Sequence, residues 1–174
     1  MSDLILETKR LRLEPFEEAD FPSLLEHHSD PDVNRYHSPG PRPMTGDEVK
    51  SRLLEFIDRN DGSGFGRRKL TTRTGEYVGR AGIDWMSDPD GHELAYSLKR
   101  SAWGKGYASE IAGALTRWFF ENPDNSFLIA YAHADHQASQ HVMKKTGFRH
   151  WFDREKHGVP CSFYRIKRVD LGPC

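Results

Sequence analysis

Apolar residues alternate with polar ones in some stretches of this chain and recur every three to four residues in others. The switches between these rhythms mark the elements. Leu4 to Leu13 reads Leu-Ile-Leu-Glu-Thr-Lys-Arg-Leu-Arg-Leu and predicts a first strand. Glu17 to His28 follows as a short amphipathic helix. Ser29 to Pro43 is broken by prolines and Gly40, so a loop is expected there. Thr45-Gly-Asp-Glu48 has capping-box spacing and opens a helix ending near Asn60, with Val49, Leu53, Leu54, Phe56 and Ile57 on one face.

Gly66 to Thr72 and Tyr77 to Trp85 read as antiparallel strands joined by Arg73-Thr74-Gly75-Glu76. After a turn at Ser87 to Gly91, Glu93 to Leu98 is a third strand. A helix over Ser109 to Glu121 places Ile111, Ala112, Leu115, Trp118 and Phe119 at helical spacing; Trp118, Phe119 and Phe120 are assigned to the core. Phe127 to Ala132 is a buried strand, Gln137 to Thr146 a helix stopping at Gly147. His150 to Asp153 and Ser162 to Lys167 form a closing hairpin across Lys156-His157-Gly158. A meander followed by β-α-β-α-β gives an α+β fold in three layers (α/β/α), with residues 1–174 as one domain.

Composition narrows the function classes. The chain has 174 residues, 36% hydrophobic and 29% charged, which fits a globular protein with a sizeable core. Its 25 basic and 26 acidic residues leave a net charge of −1, with no basic patch, so no nucleic-acid partner is expected. No apolar run approaches the ~20 residues a membrane span needs, and the first residues lack the apolar core of a signal peptide. Two cysteines, Cys161 and the terminal Cys174, make no disulfide framework, and the cytoplasm is the default location. Cys161 reads as a partly buried strand thiol.

Candidate chemistry concentrates at Trp103-Gly-Lys-Gly-Tyr-Ala108, between a strand and a helix. Two glycines one residue apart let the backbone approach a ligand, and the first amides of the helix have no intrahelical acceptor. With the helix dipole and Lys105 added, this is an anion site, most naturally for phosphate. It matches neither Gly-x-x-x-x-Gly-Lys-Ser/Thr nor Gly-x-Gly-x-x-Gly, because the third residue after Gly106 is Ser109.

Glu93-Leu-Ala-Tyr-Ser-Leu98, the glycine turn, His136-Gln-Ala-Ser139 and Lys145-Thr-Gly-Phe148 together resemble the GNAT N-acetyltransferases. The branch most similar is that of the ribosomal-protein N-terminal (RimJ/RimL-type) enzymes. Thr8-Lys-Arg-Leu-Arg-Leu13, Val33-Asn-Arg-Tyr36 and Tyr77-Val-Gly-Arg-Ala-Gly-Ile83 extend the resemblance over nearly the whole chain. It implies a mixed, mostly antiparallel sheet flanked by helices, and acetyl-CoA as cosubstrate with no metal. The pyrophosphate is then expected on Trp103, Gly104, Lys105, Gly106, Tyr107 and Ala108, and the pantetheine arm beside Leu98, Lys99 and Arg100. His136, Ser139 and Lys145 complete the expected coenzyme contacts, and Lys144 lies beside Lys145.

The resemblance makes Glu93 the candidate base, since an attacking amine must lose a proton, with Glu155 as a second candidate. Ser139 is the candidate partner of the departing thiolate. Tyr36 and His37 in the long loop, and Trp85 at a strand end, are candidates for the acceptor side, with packing in the core the favoured reading for Trp85. Two positions depart from the family pattern. His136 replaces an asparagine and brings a charge expected to vary near neutral pH. Ser101 replaces a Gln or Arg, leaving the neighbouring Arg100 to supply that charge.

His133, His136 and His141 are spaced by three and five residues, which does not suit two ligands one helical turn apart, so no metal site is assigned. The expected activity is acetyl transfer to a primary amine by direct attack. The acceptor is a protein or peptide α-amine, or a small amine such as an amino acid, polyamine or aminoglycoside. A catalytically silent acyl-CoA-binding module is the rival reading. A monomer or a homodimer is compatible with the sequence.

Overall fold

The computed structural model describes residues 6–38 and 40–172. Leu4 and Ile5 of the expected first strand and Cys174 lie outside the described residues. An eight-stranded sheet in the order β1-β2-β3-β4-β5-β6-β8-β7 forms the middle layer. Its strands are β1 (Leu6–Glu7), β2 (Leu11–Glu14), β3 (Gly66–Thr72), β4 (Tyr77–Ser87), β5 (Asp90–Leu98), β6 (Phe127–His133), β7 (Arg149–Lys156) and β8 (Val159–Lys167). Helices α1 (Phe21–His28), α2 (Pro31–Asn34) and α3 (Gly46–Asp58) precede β3, while α4 (Tyr107–Phe119) and α5 (Gln137–Lys145) flank β6 in the chain.

The single first strand expected from the alternation is two. Thr8 N–H donates to Leu11 O (2.9 Å) and the Leu11 amide donates to Thr8 Oγ1 (3.0 Å), closing a hairpin that sets Leu6 opposite Leu13. The Glu17–His28 helix likewise begins as a 3-10 turn over Glu18–Asp20 before α1. The expected loop holds α2, because Asp30 accepts from the Asp32 amide and Pro31 is preset for a first turn. The Thr45–Glu48 capping box forms as read. Leu54, however, points away from the core and is 44% exposed; the apolar stripe of α3 runs through Val49, Leu53 and Phe56.

Three buried apolar clusters pack on the sheet, the third made of Met86, Ile129, Cys161 and Phe163. Ile111, Ala112, Leu115 and Phe119 of α4 and Met143 of α5 pack with Leu13, Ala81, Leu94 and Leu128. Phe120 joins them, whereas Trp118 is only partly buried at the edge. Leu24 of α1 packs with Val49, Leu53 and Phe56 of α3 across the other face. The sheet is antiparallel except at one seam. β4 and β5 share nine paired positions, from Gly79–Leu98 to Ser87–Asp90, but β5 and β6 run parallel and pair only at Glu93–Ile129. Beyond Glu93 the β6-facing edge of β5 therefore has no paired strand among the described residues, and a large cavity lies towards that end. No helix among the described residues is long and apolar enough to cross a membrane.

Candidate active site

The glycine turn is built by conformation rather than by side chains. Gly104 has φ 73° and Gly106 has φ 79°, a region that costs other L-residues ~1–2 kcal/mol. A Cβ on Gly104 would project into open space, where a ligand can lie against the backbone. No amide from Gly104 to Ser109 donates to any described residue, and Gly106, which caps α4, offers no side-chain acceptor. Six consecutive residues thus present free donors at a helix N-terminus.

Arg10 holds this turn from behind. Its Nη1 donates to Lys105 O (2.8 Å), its Nε meets Glu110 (2.6 Å), and its guanidinium lies 4.8 Å from the Tyr107 ring centre. Glu110 also accepts from Thr8 Oγ1 at 2.7 Å, so the β1–β2 hairpin is fastened to the first turn of α4.

The turn opens onto a cavity of about 940 Å³ bounded by the end of β5, the start of α5 and the loop around α2. Of the residues expected at the site, Leu98, Trp103, Gly104, Gly106, Tyr107, Ala108, His136, Ser139, Tyr36 and His37 all line it. Inside, the Tyr96 hydroxyl stands 3.1 Å from Ser139 Oγ and 3.2 Å from Ser139 O. Burial pushes the Tyr96 phenol up to about 12, so it keeps its proton at neutral pH. His136 stacks on Tyr36 with ring centres 4.3 Å apart, joining the α2 loop to α5 over the cavity.

Several expected contacts do not assemble. Trp85 is 57% exposed and packs edge-on against His92, outside both the cavity and the core. Arg100 turns away from the glycine turn to grip Asp30 (2.6 Å) and Asp32. Its role is to tie α2 to the strand end, because two carboxylates outcompete an open phosphate site. Lys99 reaches Glu76 (3.4 Å), and neither it nor Lys105 nor Lys145 lines the cavity. Burial and the nearby His133 hold His136 down to about 4, so it is neutral around pH 7 rather than variably charged.

Glu93 lies on the opposite face of β5 from Tyr96, at the single β5–β6 pairing, and is not part of the cavity wall. Arg67 Nη2 binds it at 2.9 Å, with both side chains about 15% exposed (15% and 14%). Glu155 is exposed on β7. Cys161 is buried, and burial pushes its thiol up. Among the described residues no group of three or more His, Cys, Asp or Glu side chains is placed to hold a metal.

The acetyltransferase (GNAT) domain profile matches residues 10–149 of this sequence. The chain belongs to the GNAT acetyltransferase family. It is 29% identical over 170 residues to the uncharacterised protein YkkB of Bacillus subtilis, with 93% of this chain and 95% of that one aligned. A RimL ribosomal L7/L12 alpha-N-protein acetyltransferase solved with coenzyme A shares the fold at TM-score 0.78 and 16% identity, covering 94% and 97% of the two chains. The aminoglycoside acetyltransferase AAC(6')-Ib, also with coenzyme A, does so at 0.75 and 16%, covering 92% and 96%. As a GNAT protein this chain is an acetyl-CoA-dependent acyltransferase.

The free amides of the turn, the open space over Gly104 and the adjoining cavity suit the phosphates and arm of that cosubstrate. Two residues at the cavity and its turn have no role assignable from the sequence alone. Tyr96 lies inside a motif without marking itself, and Arg10 falls within a strand pattern. Elsewhere in the sheet, Arg80 is a charge in the middle of the apolar stretch Tyr77 to Ile83.

Proposed function

We propose that the chain works as one catalytic domain that moves the acetyl group of acetyl-CoA onto a primary amine by direct attack. The observation that carries this is the amide-lined turn opening onto a cavity that contains the Tyr96–Ser139 hydroxyl pair. The turn binds phosphate, and Leu98 and His136 flank the arm. The unpaired edge of β5 beyond Glu93 offers backbone donors to the developing oxyanion.

In the transfer the C–N bond forms, the C–S bond breaks, and the amine proton must leave. Glu93 accepts that proton through water, with Arg67 aiming the carboxylate. Ser139, backed by the protonated Tyr96, hydrogen-bonds the departing thiolate and relays a proton to it. Tyr36 and His37 shape the acceptor side. The known acceptors named for the structural neighbours, a ribosomal-protein α-amine and aminoglycosides, share only a primary amine with each other. An enzyme using acetyl-CoA in this way fits a cytoplasmic location, as a monomer or homodimer.

Acetyl-CoA at a hundredfold over Kd should stabilise the protein by ~2.7 kcal/mol. For a chain this size that is a rise of several degrees, at ~2–4 °C per kcal/mol. Release of free thiol on adding amines then separates an enzyme from a silent coenzyme-binding module. A thermal shift without thiol release from any amine would leave only the latter.

A further inference from the structure

Arg80 makes no ion pair among the described residues; Glu93, bound to Arg67, acts on it only at longer range. Arg80 sits mid-strand in β4, opposite Lys69 of β3 and Ser97 of β5, and is only 8% exposed. Its Nε donates to His28 Nε2 at 3.4 Å, and its guanidinium lies 5.6 Å from the Phe56 ring centre. No carboxylate of the described residues comes within 4.0 Å, and its two terminal nitrogens hydrogen-bond to none of them. They are not sealed off, because the buried nitrogens without a partner among the described residues belong to Arg68 alone.

The surroundings deepen the imbalance. Arg67 is committed to Glu93 and Lys69 to Asp20. Arg52 of α3, partly buried, donates to Ser38 O (3.1 Å) and forms no ion pair among the described residues. The acids nearest Arg52 are engaged elsewhere, Glu48 with Arg42 and Glu55 with Arg59. His28 and His37 cannot offset the charge either; burial and Arg80 hold both down to about 3, and they stay neutral. Ser97, the cross-strand neighbour of Arg80, and His37 both line the active-site cavity. A buried, unpaired guanidinium beside a substrate cavity is costly unless an anion arrives to share it.

We propose that the acceptor carries a carboxylate close to its amine, and that Arg80, flanked by Arg52, binds that carboxylate. A guanidinium fork suits a carboxylate bidentately, which also fixes the direction in which the amine points. A free amino acid or a peptide with an acidic first residue supplies this chemistry; a polyamine or aminoglycoside supplies its opposite. The inference rests on the acetyl-transfer reading above and names the substrate class of that same site.

The test is thiol release from acetyl-CoA with paired acceptors. α-Amino acids are compared with their carboxamides, peptides starting with Asp or Glu with those starting with Asn or Gln (all amidated at the C-terminus), and both sets with a polyamine and an aminoglycoside. The carboxamide amine loses its proton more easily, so chemistry alone favours the carboxamide. The proposal expects kcat/KM to favour the carboxylate by about 30-fold or more, the loss that follows from removing one partner of a buried charge pair. A preference in the amino-acid set identifies a free amino acid, and one in the peptide set a protein α-amine.

Arg80→Gln should erase the carboxylate preference while leaving KM for acetyl-CoA and its thermal shift in place. Should that variant not fold, the wild-type ratio decides alone. Equal rates within the pairs, or preference for the polycations, would overturn the carboxylate proposal and leave acetyl transfer standing. No thiol release from any acceptor would remove both.

Discussion

Tyr96 of β5 and Ser139 of α5 face each other with their hydroxyl oxygens 3.1 Å apart, although 43 residues separate them in the chain. The phenol is held protonated by burial, and the serine is itself buried; the role proposed for the pair is to donate to the developing thiolate. Neither hydroxyl alone makes this arrangement. The Tyr96 hydroxyl meets both Ser139 Oγ and Ser139 O, so the buried phenol has two partners on one residue.

Two residues that act as a unit should be non-additive. Ser139→Ala and Tyr96→Phe are each expected to lower kcat by ~10²-fold, within the range of general acid catalysis. The double variant should lose little more than either single one, with acetyl-CoA affinity nearly unchanged in all three. Steady-state kinetics of the four proteins checks this. Losses that multiply would show two independent roles.

Glu93→Gln removes a charge and keeps the shape. With Arg67 still in place, kcat should drop by ~10²–10³-fold, most steeply at low pH where fewer acceptor amines are neutral. Coenzyme binding measured by calorimetry should hardly change, because Glu93 lies outside the cavity wall. Normal turnover in this variant would remove Glu93 from the mechanism.

Gly104→Ala places a Cβ in open space but at φ 73°. Its cost to the free protein should therefore be the backbone term alone, ~1–2 kcal/mol, or a fall of a few degrees in Tm. The loss in acetyl-CoA affinity should be larger than that fall implies, because the methyl group occupies the ligand's approach. Melting curves with and without acetyl-CoA separate the two effects.

His28 is fully buried, with Asn34 Oδ1 2.8 Å from its Nδ1. Burial and Arg80 lower its pKa from 6.5 to about 3, so the folded state holds fewer protons than the unfolded chain between those values. Its contribution is fully present above pH 6.5 and is lost as pH falls from there towards 3. Thermal stability should therefore decline over that window. His28→Asn should flatten the decline by up to ~1.4 kcal/mol per pH unit, read from melting curves at pH 7, 6, 5 and 4. An unchanged slope would place the acid sensitivity elsewhere.

Arg10 makes three contacts around the glycine turn with a side chain that remains 44% exposed. Exposed pairs contribute ~0–1 kcal/mol to stability, so Arg10→Ala should barely move Tm. Acetyl-CoA affinity should nonetheless fall several-fold, since the Lys105 carbonyl loses its anchor. Equal affinity in the variant would show that the turn holds itself.

What the sequence determined by itself was local. Periodicity and capping located nearly every helix and strand, since both depend on residues within one or two turns of each other. The Trp103–Ala108 turn could be read as a phosphate site because its chemistry lies in the backbone of six adjacent residues. The errors follow the same logic. Leu54 fits a helical face that α3 does not bury, and the turn at Thr8 is set by the backbone and side-chain bonds between Thr8 and Leu11 inside an otherwise regular strand pattern.

Tertiary structure alone decided what each charged or polar side chain faces. Arg100 beside the glycine turn is claimed by Asp30 and Asp32, 70 and 68 residues away, and Trp85 is swung to the far end of the sheet. Arg80, in the same β4 strand as Trp85, is left buried beside the cavity without a carboxylate among the described residues. Which counter-charges arrive depends on strand register and helix packing across the whole sheet. A phosphate site was therefore legible in one short segment, while the surroundings of Arg80 exist only once the distant segments are folded together.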